Sequence, residues 1–447
     1  MGTTGRLAHA RAVRAHTAAV RVGAGWEPPQ PSDVREVLLL LSASRGGSSL
    51  LYELLARHPQ VVSLHGEHVP HYKLHGFDLD ASEDGSDRFQ RFRPADAAAL
   101  GATISAGLRA AVPCGDTGHD LLFACDVADR LAVQWPEAGT EPARLLAAVL
   151  DAVEFHRKEL PDGRWQLPGF LAALSRALAV ACPGHPFRAH YTDSGEPRPE
   201  AEPALGPPAP RYTLEEPPFT MPGPRALPGP ELLRRRVLLL KASVDAYRLP
   251  LVTALFPRAR VRILHLTRNP AASVNGLMDG WLDRGFFSYN TRELADPVTL
   301  AIEGYSDRGP WGGSWWNFDA PPGWRALARA PLAEVAAFQW AGAHGAIIES
   351  LAGYPPSETL RVGFEDIAGA AARRQRTLRR ILEFAGLDQS SGTAADQPLP
   401  LVMSTRTPRP GRWRERADAV LPALSDRHLM DVAGELGYSM VDREQWQ

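Results

Sequence analysis

Residues 37–51 read Val-Leu-Leu-Leu-Leu-Ser-Ala-Ser-Arg-Gly-Gly-Ser-Ser-Leu-Leu, and no other stretch constrains the chain as tightly. The apolar run predicts a fully buried strand, and the apolar spacing from Leu50 to Leu55 predicts a helix. Between them lies a turn of small residues with one cation, Arg45. A strand–turn–helix of this kind points free backbone N–H groups and the positive end of a helix dipole at one spot, which suits a phosphate or sulfate. Gly46 and Gly47 let the backbone approach an anion, and Ser48 and Ser49 add hydroxyl donors.

The turn lacks the Gly-Lys-Ser/Thr ending with which a nucleotide P-loop reaches a terminal phosphate and Mg²⁺. Gly47 runs directly into Ser48, and the cation comes earlier. In this respect Ser44, Arg45, Gly46, Gly47, Ser48, Ser49 and Leu50 resemble the 5′-phosphosulfate loop of sulfotransferases that use 3′-phosphoadenosine-5′-phosphosulfate (PAPS). A second segment adds to the resemblance. Residues 260–267 read as a buried strand, followed by Arg268-Asn269-Pro270 and a helix that Pro270 can open without losing a hydrogen bond. Arg268 thus falls at the carboxyl end of a strand, where open α/β sheets bind ligands. This is similar to the family's 3′-phosphate motif, although the family's Ser, eight residues after the Arg, is here Gly276. Ser273 or Asn275 would replace it. A third segment, residues 406–414, resembles the family's C-terminal loop over the 3′-phosphate and adenine. Its Arg409, Gly411, Arg412 and Trp413 are the cofactor-binding candidates there, arginine being suited to bidentate phosphate contacts. Residues 360–367 resemble the family's late strand, with Glu365 and Asp366 read as structural.

Three lysines stand among the 49 cations of the chain. One of them, Lys241, ends the apolar strand 237–240, where an ammonium would stabilise charge on a transferring sulfuryl group. A base is expected near the anion loop, and the short strand after the first helix ends in His65, Gly66, Glu67 and His68. Glu67 is the first candidate, with His65 and His68 in reserve. No His follows Lys241, where the animal cytosolic branch of the family carries its base.

The sequence predicts a three-layer α/β fold of the P-loop type. A mostly parallel sheet is expected from strands near 36–42, 60–64, 236–241, 261–267 and 359–364. Residues 34–71 and 236–447 form the predicted core and 1–33 a flexible or loosely docked tail. Residues 72–235 form a large insertion, with helices at 95–112, 142–157 and 167–181. Its proline-rich part, 183–230, reads as an extended linker or surface loop. The aromatic stretch 281–324 is a candidate acceptor wall, with Trp281, Phe287 and Trp315 as substrate-binding residues.

The formal charge of −2 gives no general pull toward nucleic acid or anionic membrane, so any anion site must be local. Cys114, Cys125 and Cys182 form no metal-type pair, which fits a reducing cytoplasm. No apolar run approaches the ~20 residues that span a bilayer. The resemblance implies sulfuryl transfer from PAPS, without a metal, to the hydroxyl or amine of a small-molecule acceptor. An ATP-dependent phosphotransferase and a non-catalytic nucleotide-binding protein remain open beside it.

Overall fold

The computed structural model describes residues 7–111, 119–160, 165–193, 195, 206–283, 285–389, 399–441 and 446. The apolar run forms β1 (Glu36–Leu41), in which Val37 to Leu41 are each at most 1% exposed. Around it stand β2 (Val61–Ser63), β3 (Arg109–Ala110), β4 (Val237–Leu240), β5 (Arg260–Thr267) and β8 (Thr359–Gly363). They make one six-stranded sheet in the order β3-β2-β4-β1-β5-β8. All pairings are parallel except that of β3, which closes one edge antiparallel. A separate two-stranded sheet joins β6 (Phe287–Asn290) to β7 (Trp315–Asn317).

Helices α1 (Ala8–Gly23), α2 (Ser48–Ala56), α3 (Pro94–Ala106), α4 (Asp120–Gln134), α5 (Pro142–Lys158) and α6 (Leu167–Ala181) belong to the first half of the chain. The second half supplies α7 (Pro270–Leu282), α8 (Leu332–Leu351) and α9 (Ala371–Ala385). Successive residues of a strand face opposite ways, and β1 divides accordingly. Leu38 and Leu40 meet Leu51 and Leu55 of α2 and Leu378 and Ile381 of α9 in one core. Val37, Leu39 and Leu41 share the other with Val274 of α7 and Trp340 of α8. The result is the expected three-layer arrangement, and it aims the carboxyl ends of β1, β2, β4 and β5 at one edge.

Part of the insertion joins the main body, β3 in the sheet and Leu100 and Ile104 of α3 in the core with Val37 and Leu39, while the rest has its own core. Helices α4, α5 and α6 bury Leu131, Val149 and Leu174 together. The first residues join them: α1, expected as a flexible tail, is an amphipathic helix burying Ala10, Val13, Thr17 and Arg21. Arg21 pairs with Asp126 at 2.8 Å and Asp129 at 2.9 Å, which fastens α1 to α4. The described part of 183–230 also departs from the expectation of a surface linker. Its apolar residues Phe187, Leu214, Phe219 and Met221 are buried in the same core. Prolines set its backbone, but the aromatic and aliphatic residues between them decide where it lies. Cys125 and Cys182 are buried free thiols, and Cys114 lies outside the described residues.

Candidate active site

The anion loop links β1 to α2. Arg45 has φ 61° and Gly47 φ 91°, so the chain twice enters the left-handed region in three residues. At Gly47 a Cβ would overlap the Phe364 ring, and at Gly46 it would come 2.9 Å from the Ala43 carbonyl. Both glycines therefore serve close approach, and the second also serves φ. Gly47 caps α2 without any side-chain hydrogen bond. The first-turn amides of Ser48, Ser49 and Leu50 thus have no side-chain cap, and such amides attract anions.

Arg45 lies over this loop with its guanidinium enclosed. It donates to the Gly276 carbonyl at 3.3 Å, the Met403 carbonyl at 2.7 Å and Thr405 Oγ1 at 3.1 Å, and stacks 5.2 Å from Phe286. Burial pushes its pKa down to about 10, Asp279 opposing that shift. Arg268, from the end of β5, donates to the Arg45 carbonyl at 3.0 Å and stacks 4.8 Å from Phe364. The two arginine-bearing turns therefore meet at the ends of adjacent strands. Asn269 accepts from Ala272 N at 2.8 Å and so caps α7, with Pro270 in the first turn. Glu365 fixes Asn269 from the other side, accepting its amides at 2.8 and 3.0 Å.

On α7, Ser273 is fully buried and its hydroxyl has no partner among the described residues, while Asn275 accepts from Arg416 at 3.2 Å. A side chain at Gly276 would stand 3.4 Å from the Arg45 Cβ. Arg45 thus fills the space beside the residue at which the resemblance leads one to expect a Ser. One helical turn past Asn275, Asp279 gathers the C-terminal arginines. It accepts from Arg416 at 2.7 Å and from Arg412, with Arg406 at 3.6 Å. Asp279 and Arg416 escaped the sequence reading, although the four-residue step from Asn275 to Asp279 puts both on one helix face.

The other arginine candidate of this loop lies elsewhere. Arg409 pairs with Glu415, and its side chain is 62% exposed. Gly411 has φ 67°, and a Cβ there would meet Arg414. Trp413 is buried beside Trp446, so its ring is core rather than a surface offered to adenine. The same correction holds for the proposed acceptor wall. Trp281, Phe287 and Trp315 are each at most 2% exposed; Trp281 is tied to Gln339 and packed edge-on to Trp316. Apolar aromatics beside glycine-rich loops suit a pocket as well as a core, and here their area is spent on burial.

Across the anion loop, Lys241 at the end of β4 donates to Ser49 Oγ at 3.0 Å and to Glu67. The second oxygen of Glu67 accepts from Ser243 N at 3.1 Å. The carboxylate is 31% exposed while its lysine is 8% exposed. Glu67 is therefore held in place yet open on one side. Two of the three N–H groups of Lys241 are used among the described residues, which leaves one. The histidines beside Glu67 face elsewhere. His68 is fully buried, its Nε2 3.0 Å from Asp245 and 3.1 Å from Tyr72. Burial pushes His65 down to about 3, and its Nε2 has no partner among the described residues.

The insertion reaches this side through residues 215–220. Gly66 lies against Arg130 and Thr220, and Phe286 N donates to the Pro217 carbonyl. Burial pushes the intervening Glu216 up to about 7, with Lys73 opposing and Glu67 adding to the shift. Among the described residues no cluster of His, Cys, Asp or Glu is suited to hold a metal ion, and no helix is long and apolar enough to cross a membrane.

No family model matches the chain, and no curated protein matches it. Among solved structures it is similar to the sulfotransferase domain from the curacin biosynthetic pathway, at 11% identity and TM-score 0.35, over 91% of this chain and 99% of that one. A sulfotransferase from Mycobacterium tuberculosis H37Rv compares at 11% identity and TM-score 0.34, over 92% and 82%. One from Alicyclobacillus acidocaldarius stands at 12% and 0.32, over 92% and 100%. Likeness at this level carries no weight for the chemistry, which rests on the residues above.

Proposed function

We propose that this chain is a PAPS-dependent sulfotransferase acting on the hydroxyl or amine of a small molecule. The observation that carries the reading is the contact between Arg268 and the Arg45 carbonyl at 3.0 Å. It joins two turns 223 residues apart into one cationic edge, with the uncapped start of α2 on one side and α7 on the other.

The residues present fit the group. The glycine turn admits an anion against the amides of Ser48, Ser49 and Leu50, and the buried Ser273 hydroxyl lacks a partner among the described residues. Arg45 and Arg268 would hold the donor, with Arg412 and Arg416 held near the same helix by Asp279. When bound, PAPS supplies the sulfuryl group and a bisphosphate leaving group. Glu67 is placed to accept the proton of an acceptor hydroxyl or amine, its position set by Lys241 and Ser243 N. The remaining N–H of Lys241 would donate to charge developing on the bridging oxygen, a fixed electrostatic contribution. Holding both reactants between β1, β2 and β4 adds the advantage of position.

Calorimetric titration with 3′,5′-adenosine bisphosphate, and with ATP plus and minus Mg²⁺, tests the donor site. Tighter, Mg²⁺-dependent binding of ATP overturns the reading in favour of phosphoryl transfer. Incubation with ³⁵S-labelled donor and a panel of phenols, sugars and amines tests turnover. Bisphosphate binding without transfer to any of them makes the chain a binding protein instead.

A further inference from the structure

We propose that Asp319 is a positioning residue of the anion loop and that it takes up a proton when a multiply charged anion enters that loop. The inference rests on the reading of the loop as the donor site, and adds to it a residue far away in sequence.

Ser44 directly precedes the left-handed Arg45, so whatever holds Ser44 holds the turn. A serine hydroxyl has one proton to give. Here it goes to Asp319 Oδ1 at 2.7 Å, while the Tyr247 hydroxyl donates to Oδ2 at 2.6 Å. The backbone carbonyl of Asp319 is fixed as well, by Trp316 Nε1 at 3.0 Å and Gln339 Nε2 at 2.7 Å. The residue is 1% exposed. Among the described residues no cation pairs with it. The charged group facing it is Asp87, which pairs with Arg248 at 2.6 Å and also takes the Tyr289 hydroxyl and the Ala320 amide. Asp319 is thus a buried carboxylate held by two hydroxyl groups and its own backbone amide, without a cation among the described residues, and burial pushes it up to about 6.

That arrangement suits the empty loop and opposes a filled one. With Asp319 ionised, Ser44 has no proton left for an incoming phosphate oxygen, and a second negative charge stands just behind it. A like charge brought close disfavours the carboxylate form. A proton taken from solvent onto Asp319 removes both obstacles. The acid then donates to Ser44 Oγ, and the Ser44 hydroxyl turns its own proton to the anion. No other bond changes.

Titration calorimetry with 3′,5′-adenosine bisphosphate at pH 7.5, in two buffers of different ionisation enthalpy, counts the protons taken up. The phosphates of the probe titrate as well, with a second pKa near ~6, so wild type is compared with Asp319→Asn. Wild type is expected to take up as much as one proton more than the variant. Between pH 7 and 8 its affinity should fall by up to about tenfold more than the variant's. An infrared difference spectrum of wild type, bound minus free, gives an independent readout that needs no variant: a new protonated-carboxyl carbonyl band. Equal uptake in both proteins, or no such band, overturns the proposal and leaves the donor site standing. Failure of wild type to bind the bisphosphate overturns the site reading, and this inference with it.

Discussion

Removing one guanidinium and one phosphate in turn isolates what Arg268 does. Arg268→Ala deletes a cation that makes one hydrogen bond to the Arg45 carbonyl and stacks on Phe364. Of the five N–H groups of a guanidinium, four remain for a ligand. A hydrogen bond to a charged partner contributes roughly 1.5–3 kcal/mol, and ~1.36 kcal/mol is a factor of ten. The substitution should therefore weaken 3′,5′-adenosine bisphosphate by roughly 10- to 150-fold. Adenosine 5′-monophosphate, which lacks the 3′-phosphate, should change by less than about threefold, because nothing is left for Arg268 to hold. Calorimetry on both ligands and both proteins completes the cycle. Loss of the contacts to Arg45 and Phe364 should also cost about 1–2 kcal/mol of stability, read from the urea midpoint. Equal weakening of both ligands would refute the reasoning. Arg268 would then act only by holding the shape of the loop.

Glu67→Gln should lower kcat by about 10²- to 10⁴-fold while bisphosphate affinity stays within about threefold, measured by rapid-quench transfer and by calorimetry. Gly47→Ala places a methyl group against Phe364 at φ 91°. It should cost roughly 1–2 kcal/mol of stability for the left-handed backbone, read from urea unfolding, and weaken the bisphosphate because the displaced ring supports Arg268. Arg409→Ala should move neither donor affinity nor the urea midpoint by more than about 0.5 kcal/mol, because its partner is the exposed Glu415. Acid should unfold the chain early. His265 and His344, 2.9 Å apart and buried, have pKa values pushed down by burial, His265 to about 3. Both stay neutral in the fold, whereas the unfolded chain binds protons below ~6.5, so their contribution is complete above that pH and is lost as pH falls. At pH 5.5 the two together should cost roughly 3 kcal/mol against pH 7.5. Asp319, raised to about 6, pulls the other way between ~4 and 6 and returns part of that loss. A flat urea midpoint down to pH 5 would contradict this account.

The parallel strands were legible because burial on both faces demands apolar runs: 37–41 and 237–240 are unbroken, and 260–267, interrupted by Arg262 and His265, still carries Val261, Ile263, Leu264 and Leu266. The turns at Arg45 and Arg268 were legible for a related reason: glycine and proline restrict the backbone locally. What lay beyond the sequence depends on distant partners. Whether Arg409 or Arg416 faces α7 turns on a single carboxylate, Asp279, 130 or more residues away in sequence. His68, the reserve to Glu67, is withdrawn from the site by Asp245 and Tyr72, which enclose it. The aromatic run 281–324 failed for a different reason, since a core and a pocket use the same residue types and only exposure separates them. The docking of α1 follows the same logic, because its buried stripe includes Arg21, whose place in a core depends on Asp126 and Asp129.

The charges at the donor end follow one pattern. Arg412 and Arg416 of the C-terminal segment share the one carboxylate of Asp279, beside Arg45 and Arg268. Arg45 and Arg268 are satisfied only by carbonyl and hydroxyl oxygens among the described residues. A half-buried cation whose hydrogen bonds go to neutral oxygens is costly, which is why the Arg45 pKa is pushed down although Asp279 and Asp283 oppose the shift. In a chain of net charge −2, this local surplus has no global origin. An anion entering here relieves a cost the fold already carries. The stabilisation it brings should therefore exceed that of the same anion at exposed arginines, where water already satisfies the charge.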